Sequence, residues 1–410
     1  MKKYVIIGNG TAAVGCIEGI RSVDAEGGIT VVSAEEHAVY SRPLISYLLE
    51  GKTDVERMKY RPDGFYEKNG CRVLYKRRAE AVDPEKKTVA LDGGELLPYD
   101  ELCVAAGSRP FVPPFAGLDT VAKKFSFMTL DDALALEAAL TPETRVLIVG
   151  AGLIGLKCAE GIHDRVASIT VCDLADRVLS SILDAECAAI VQKHLEAAGI
   201  RFMLADSAES FEGNTAQMKS GECVEFDVLV LAVGVRANSE LVRDAGGEAN
   251  RGIIVNSRME TSLPSVYAAG DCAEGYDASI GANRVLAILP NAYMQGQTAG
   301  VNMAGGDASL TNSIPMNSIG FFGLHMMTAG AYDGEMSEEK GDGYLKRFFV
   351  KDGALGGFIL IGETERAGIY TALIREKTPL DTLDFELAKK LATSAAFTET
   401  ERRKKFGGEV

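Results

Sequence analysis

Twice in this chain a short apolar run breaks at a glycine turn and resumes with helical spacing, and no other feature constrains the fold as strongly. The first copy reads VIIGNGTAAVG at residues 5–15 and the second RVLIVGAGLIG at 145–155. In the first, Gly8 permits the tight turn, Gly10 lets backbone N–H groups approach a pyrophosphate, and Ala13 is small enough for the coming helix to lie against the strand. Thr11 and Ala12 stand between them. In the second, Gly150, Gly152 and Gly155 complete the G-x-G-x-x-G pattern around Leu153 and Ile154. Each copy predicts a strand–turn–helix unit with a dinucleotide at the helix N-terminus.

Acidic residues follow at the matching distance. Residues 29–32 read as the next strand of the first unit, and Glu35, rather than Glu36, is placed to take ribose hydroxyls. Asp173 ends the corresponding strand of the second unit, where a carboxylate binds a ribose 2′-OH and repels a 2′-phosphate. That points to NADH over NADPH. Arg177 argues the other way, since a nearby arginine can hold a 2′-phosphate. The repeat goes further: YDELCVAAGSRP (99–110) and FDVLVLAVGVRAN (226–238) carry Asp, Leu, Ala, Gly and Arg at equivalent places. Ala105, Ala106, Gly107 and Arg109 are therefore expected at one nucleotide, and Val233 and Gly234 at the other.

A chain of 410 residues with 47% hydrophobic residues can bury two or three separate cores. A net charge of −15 argues against nucleic acid or an anionic membrane as partner. No apolar run is long enough to span a membrane, and the start MKKYVIIG enters a strand too soon for a secretion signal, so the default location is the cytoplasm. The eight cysteines contain no C-x-x-C and the four histidines lie far apart, so no metal is expected. The basic run 402–405 reads as a solvated end of the chain. Oligomeric state is not readable from spacing, and a homo-oligomer is left open.

Strand and helix patterns alternate to about residue 305. The proline-rich stretch from 110 suits a domain crossing, an amphipathic helix is expected over 129–140, and the return crossing is expected near 240–247. The second nucleotide unit is thus read as inserted into the first. From about 307 short strands take over, with Asp352-Gly353 as a hairpin turn and a helix over 384–395.

These residues resemble the pyridine nucleotide–disulfide oxidoreductase superfamily. The resemblance covers essentially the whole chain through both fingerprints, Ala105-Ala106-Gly107, and TSLPSVYAAGDCAE at 261–274. It implies an α/β fold of two Rossmann-like dinucleotide-binding domains, one inserted in the other, and a C-terminal α+β domain. The corresponding boundaries are 1–115 with 242–306 for FAD, 116–241 for NADH, and 307–410 for the third domain. It further implies that Asp271 bonds the ribityl chain of FAD, with Gly270 beside it at the same cofactor, and that the helix opening at Pro290-Asn291-Ala292 points at the flavin ring.

Relatives that work through a thiol carry redox cysteines where this chain reads AVYSRPLISYLLEG, and no cysteine lies between Cys16 and Cys71. YSRPLISYLL and RAGIYTALIREKTPL instead resemble the NADH:rubredoxin oxidoreductases and the flavin-bearing portion of NADH-dependent nitrite reductases, which implies that Arg42 and Pro43 lie against the cofactor. Many relatives pair a lysine with a glutamate beside the flavin, at places where this chain has Tyr47 and Lys157. Lys157 is therefore expected near the nicotinamide and flavin, where its charge would favour reduced flavin. The resulting expectation is an enzyme passing electrons from NADH through FAD to rubredoxin, ferredoxin or an iron–sulfur subunit. The alternatives are an NADH oxidase using oxygen and a non-catalytic flavoprotein acting as redox sensor or scaffold.

Overall fold

The computed structural model describes residues 1–406; residues 407–410, the end of the third expected domain, and the side chains of Lys404 and Lys405 in the basic run lie outside the described part. Strand Lys3–Ile7 has a buried apolar face on both sides, as a central parallel strand must. Around it a parallel sheet runs in the order Val266–Ala268, Glu101–Val104, Lys3–Ile7, Gly28–Val32, Cys71–Leu74. The second parallel sheet has the order Arg201–Leu204, Ser168–Asp173, Arg145–Val149, Val228–Leu231, Lys124–Phe125. The chain leaves the first sheet after Val104 and rejoins it only with Val266–Ala268, after the second sheet is complete.

The internal repeat has a structural meaning at each equivalent residue. Asp100 accepts from the N–H of Lys3 at 2.7 Å, and Asp227 from the N–H of Arg145 at 2.8 Å, so each carboxylate holds the start of its central strand. The two repeats also meet: Ser108–Pro110 pairs antiparallel with Val235–Ala237, with Arg109 opposite its own equivalent, Arg236.

Helix Leu130–Ala139 starts where the sequence places it, with a capping box between Thr129 and Asp132. The C-terminal part is a five-stranded antiparallel sheet ordered Met316–Phe321, Leu324–Gly330, Ala354–Ile361, Tyr344–Lys351, Glu335–Gly341, covered by helix Gly368–Arg375. Asp352 and Gly353 turn its central hairpin with φ of 52° and 73°, the left-handed pair that matches strand twist. The helix expected over 384–395 is shorter. Asp384 caps Phe385–Lys390, Leu391 is extended, and the Thr393 hydroxyl accepts from the N–H of Ala395 to start a separate 3-10 turn.

Helices Thr11–Arg21 and Leu289–Met303 pack closely enough that only glycine fits at the crossing. A Cβ on Gly15 would lie 2.3 Å from the carbonyl oxygen of Tyr293, and one on Gly296 would lie 2.0 Å from that of Ala12. The flavin-side helix of the resemblance is thereby held against the first fingerprint helix.

Candidate active site

Both fingerprint turns are built alike. Gly8 donates to Val32 O and Gly150 to Cys172 O, each at 2.8 Å, with φ of 105° and 119°. A side chain at either would strike the carbonyl oxygen of Ala105 or of Ala232, respectively, at 2.1 and 2.2 Å. Ala105 thus forms the wall of the first turn. At Gly155 an added Cβ would lie 2.0 Å from Gly150 O, which is why the third position stays small.

Helices Thr11–Arg21 and Leu153–Ile162 begin at Gly10 and Gly152, neither with a side-chain cap, and a Cβ on either glycine would meet nothing within 4 Å. By contrast, helices Leu130–Ala139 and Ala185–Ala197 are capped by Thr129 and Asp184. Two sets of first-turn backbone N–H groups, at Thr11, Ala12 and Ala13 and at Leu153, Ile154 and Gly155, are therefore left without a side-chain cap, as an anion site requires.

The first turn gathers further groups. Glu35 accepts from the Tyr40 hydroxyl at 2.7 Å and is ion-paired with Arg42, whose guanidinium also reaches Met128 O at 3.2 Å. Pro43, itself exposed, follows in the 3-10 turn Arg42–Leu44, whose other two residues are half-buried. Gly270, at φ 82°, brings Asp271 between the two helices, since a Cβ there would approach those of Ala12 and Ala292 at 3.0 and 3.6 Å. Burial in this cleft pushes the Asp271 carboxyl above the ordinary range, against a 3.3 Å bond from the Ser108 hydroxyl and the charge of Arg42.

Helix Leu289–Met303 has Pro290 in its first turn and no side-chain cap, and buried Asn291 keeps its Oδ1 without a donor while Nδ2 donates to Leu286 O at 3.1 Å. An uncapped helix start, a carboxyl lifted by burial and an orphaned amide oxygen around one cleft fit a ligand with phosphates, hydroxyls and ring N–H groups.

At the second turn Asp173 accepts from Ala151 N–H at 2.6 Å and Ala175 N–H at 2.8 Å, so it braces the glycine loop it flanks. Arg177 is bound to Asp176 at 2.7 Å and to Leu183 O at 3.3 Å, so its guanidinium is engaged within the protein. Val233 and Gly234 follow strand Val228–Leu231, with Gly234 at φ 121°. Arg109 is turned to the surface, bonded to Glu240 at 2.6 Å and Asn238 at 2.8 Å. Asn238 in turn bonds the carbonyls of Ala106 at 2.8 Å and Gly107 at 3.0 Å.

Lys157 sits where three parts of the chain meet. Its ammonium lies 4.6 Å from the ring centroid of Tyr47 and 3.3 Å from Gly320 O, and it is ion-paired with Glu160. The two positions singled out in the sequence, Tyr47 and Lys157, thus lie against each other, and Glu160, which sequence reading missed, shares the charge. Its other oxygen accepts from Phe322 N–H at 2.6 Å.

Every cysteine is free. Cys272, next to Asp271, donates to the carbonyls of Val104 and Ala269, and burial pushes its thiol up to about 12, far from a thiolate at neutral pH. Among the described residues no group of three or more metal-ligating side chains occurs, and no helix is long and apolar enough to cross a membrane.

The chain is 33% identical over 394 residues to the NADH-dependent phenylglyoxylate dehydrogenase subunit epsilon of Aromatoleum evansii, covering 93% of each. It is 30% identical over 413 residues to a nitrite reductase (NAD(P)H) of Bacillus subtilis (strain 168), covering 97% of this chain and 50% of that protein, so it spans half of that relative's length. A crystal structure of a covalent putidaredoxin reductase–putidaredoxin complex shares the fold, with a TM-score of 0.88 at 22% identity over 96% of this chain and 97% of that one. Residues 2–296 match the pyridine nucleotide-disulphide oxidoreductase family. The chain belongs to that family, as an oxidoreductase that uses FAD and NADH.

Proposed function

We propose that the protein is an NADH-dependent reductase of a one-electron carrier, either a small iron–sulfur protein or an iron–sulfur subunit. The observation that carries this reading is the pair of uncapped helix starts in two separate parallel sheets, with no redox disulfide between them. In this reading residues 1–115 and 242–306 hold FAD through Gly8, Gly10, Thr11, Ala12, Ala13, Glu35, Arg42, Pro43, Ala105, Ala106, Gly107, Gly270, Asp271, Pro290, Asn291 and Ala292. Arg109 serves that site indirectly, by fixing Asn238 against the carbonyls of Ala106 and Gly107. Residues 116–241 hold NADH through Gly150, Gly152, Leu153, Ile154, Gly155, Asp173, Val233 and Gly234, and residues from 307 close the cleft.

Bound FAD supplies the hydride acceptor and the means of releasing electrons one at a time. The chain supplies position. Helix starts fix the pyrophosphates, Asp173 excludes a 2′-phosphate, Asp271 offers a carboxylate to hydroxyls, and Lys157 with Tyr47 closes one side of the junction. One NADH yields NAD+, one proton and two electrons, so two carriers are reduced per turnover. The similarity to a lettered subunit and to half of a longer reductase supports a protein acceptor. The free thiols suit a reducing compartment, for which we infer the cytoplasm.

The test is anaerobic. NADH is expected to bleach the FAD-loaded protein, Lys157→Met to slow that bleaching about tenfold, and rubredoxin or a [2Fe–2S] ferredoxin to restore the colour. Failure of both carriers, with rapid reoxidation by oxygen, would mark an oxidase instead.

A further inference from the structure

The hairpin Ala273–Asp277 with Ala282–Val285 stands as a ridge between two surface grooves of about 570 and 650 Å3. Asn283 and Tyr276 face the first, with Arg375 and Lys377 opposite; Arg284 and Ile280 face the second, with Arg251 and Tyr332. The walls of the two grooves touch where Arg375 Nη2, of the first, lies 3.8 Å from Sδ of Met316, of the second.

Charge distinguishes this surface. The chain carries 58 acidic residues and a net charge of −15, yet among the described residues no Asp or Glu lines either groove, while four cations do. Arg284 is held by fully buried Asp277 at 2.6 Å. Arg251, Arg375 and Lys377 have no carboxylate partner among the described residues, and Arg375 Nε is buried without an acceptor. Unpaired cations kept together on an acidic molecule are what an anionic partner would neutralise. Ile280, 48% exposed, and the partly exposed rings of Tyr276 and Tyr332 add an apolar contact between them.

Position relates this surface to the site. The wall of the second groove, Leu286 to Ile288, runs directly into helix Leu289–Met303, whose uncapped start belongs to the proposed FAD cleft. Leu286 O is also the acceptor for Asn291 Nδ2. The second groove and the proposed FAD cleft thus share the run from Leu286 into the helix start, and electron transfer weakens steeply with distance.

We infer that this double groove is the docking surface for the electron acceptor, an acidic iron–sulfur protein that presents carboxylates to Arg251, Arg284, Arg375 and Lys377. The inference rests on the carrier-reductase reading and adds where the carrier binds and what charge it bears.

The test reverses the two exposed cations that touch no part of the nucleotide sites, in the double variant R251E/K377E of the FAD-loaded protein. With rubredoxin and a [2Fe–2S] ferredoxin as probes at low ionic strength, KM for the carrier and the calorimetric Kd are expected to rise about tenfold, and the difference to vanish at high salt. NADH-driven bleaching and ferricyanide reduction are expected to stay unchanged. Unaltered carrier KM and Kd would overturn the docking surface alone. A wild-type dimer that the double variant dissociates would show the grooves hold a second copy, and would also overturn it. If wild-type protein is reduced by NADH but reduces neither carrier, the carrier reading itself falls and the docking surface with it.

Discussion

Asp271, which the proposed function sets against FAD, is a side chain whose burial counts against the fold on its own. Burial holds its carboxyl protonated to higher pH than in the unfolded chain, where the ordinary value is about 3.9. Above that value the native state binds more protons than the unfolded one, so the group's contribution to stability falls as pH rises. The FAD-free variant Asp271→Asn is therefore expected to melt above FAD-free wild type at pH 7, with a gain that shrinks toward pH 4, and to take up FAD more weakly. A melting difference independent of pH would remove the carboxyl as cause. The residue types of the proposed site could be named from the sequence: the glycines, Glu35 and Asp173 by the spacing of the two fingerprints, and Asp271 by the family resemblance. What their side chains grip could not. Glu35 meets Tyr40 and Arg42, and Asp173 meets Ala151 N–H, because of turns that spacing does not encode.

Among the elements, the crossing of Thr11–Arg21 with Leu289–Met303 joins the first glycine turn to the helix that bears Asn291. Gly15 and Gly19 lie there against the backbone of Tyr293, Gln297 and Val301, and Gly296 and Gly300 against that of Ala12, Cys16 and Ile20, and each glycine in a helix interior costs about 1 kcal/mol relative to alanine. That cost persists because the backbones approach too closely for any Cβ. Gly296→Val must push the Ala12 carbonyl away, so a loss of about 1–3 kcal/mol in denaturant unfolding and a weakened grip on FAD are expected. Unchanged FAD affinity would mean that the crossing is not what positions the cleft. Both G-x-x-x-G spacings stand in the sequence, yet nothing in either says that it faces the other, 281 positions away from Gly15 to Gly296. Elements with local signals were readable, as the Thr129 cap shows; the helix from Asp384 ended early because Thr393 offers the backbone a competing turn.

At the scale of the whole molecule, the three parts are locked through a small polar junction. Glu160 holds Lys157 and the N–H of Phe322 together, and His194 Nε2 bonds the carbonyls of Phe321 and Phe322, both at 3.1 Å. Both side chains of the ion pair are largely buried, Lys157 at 18% and Glu160 at 8% exposure. Glu160→Ala strands the ammonium and is expected to cost about 3–5 kcal/mol, while adding Lys157→Met to it should recover part of that loss. Additive losses in the unfolding cycle would show that the two do not act as a pair. The local pattern of glycines, apolar runs and repeated acids determined on its own that the chain makes two parallel nucleotide-binding units, because a turn of that shape admits few other residues. Only the folded chain decided which faces meet. The Lys157–Glu160–Phe322 junction, the glycine crossing and the adjoining grooves each bring together residues more than a hundred positions apart, and such proximity comes from packing of whole elements, which no local spacing records.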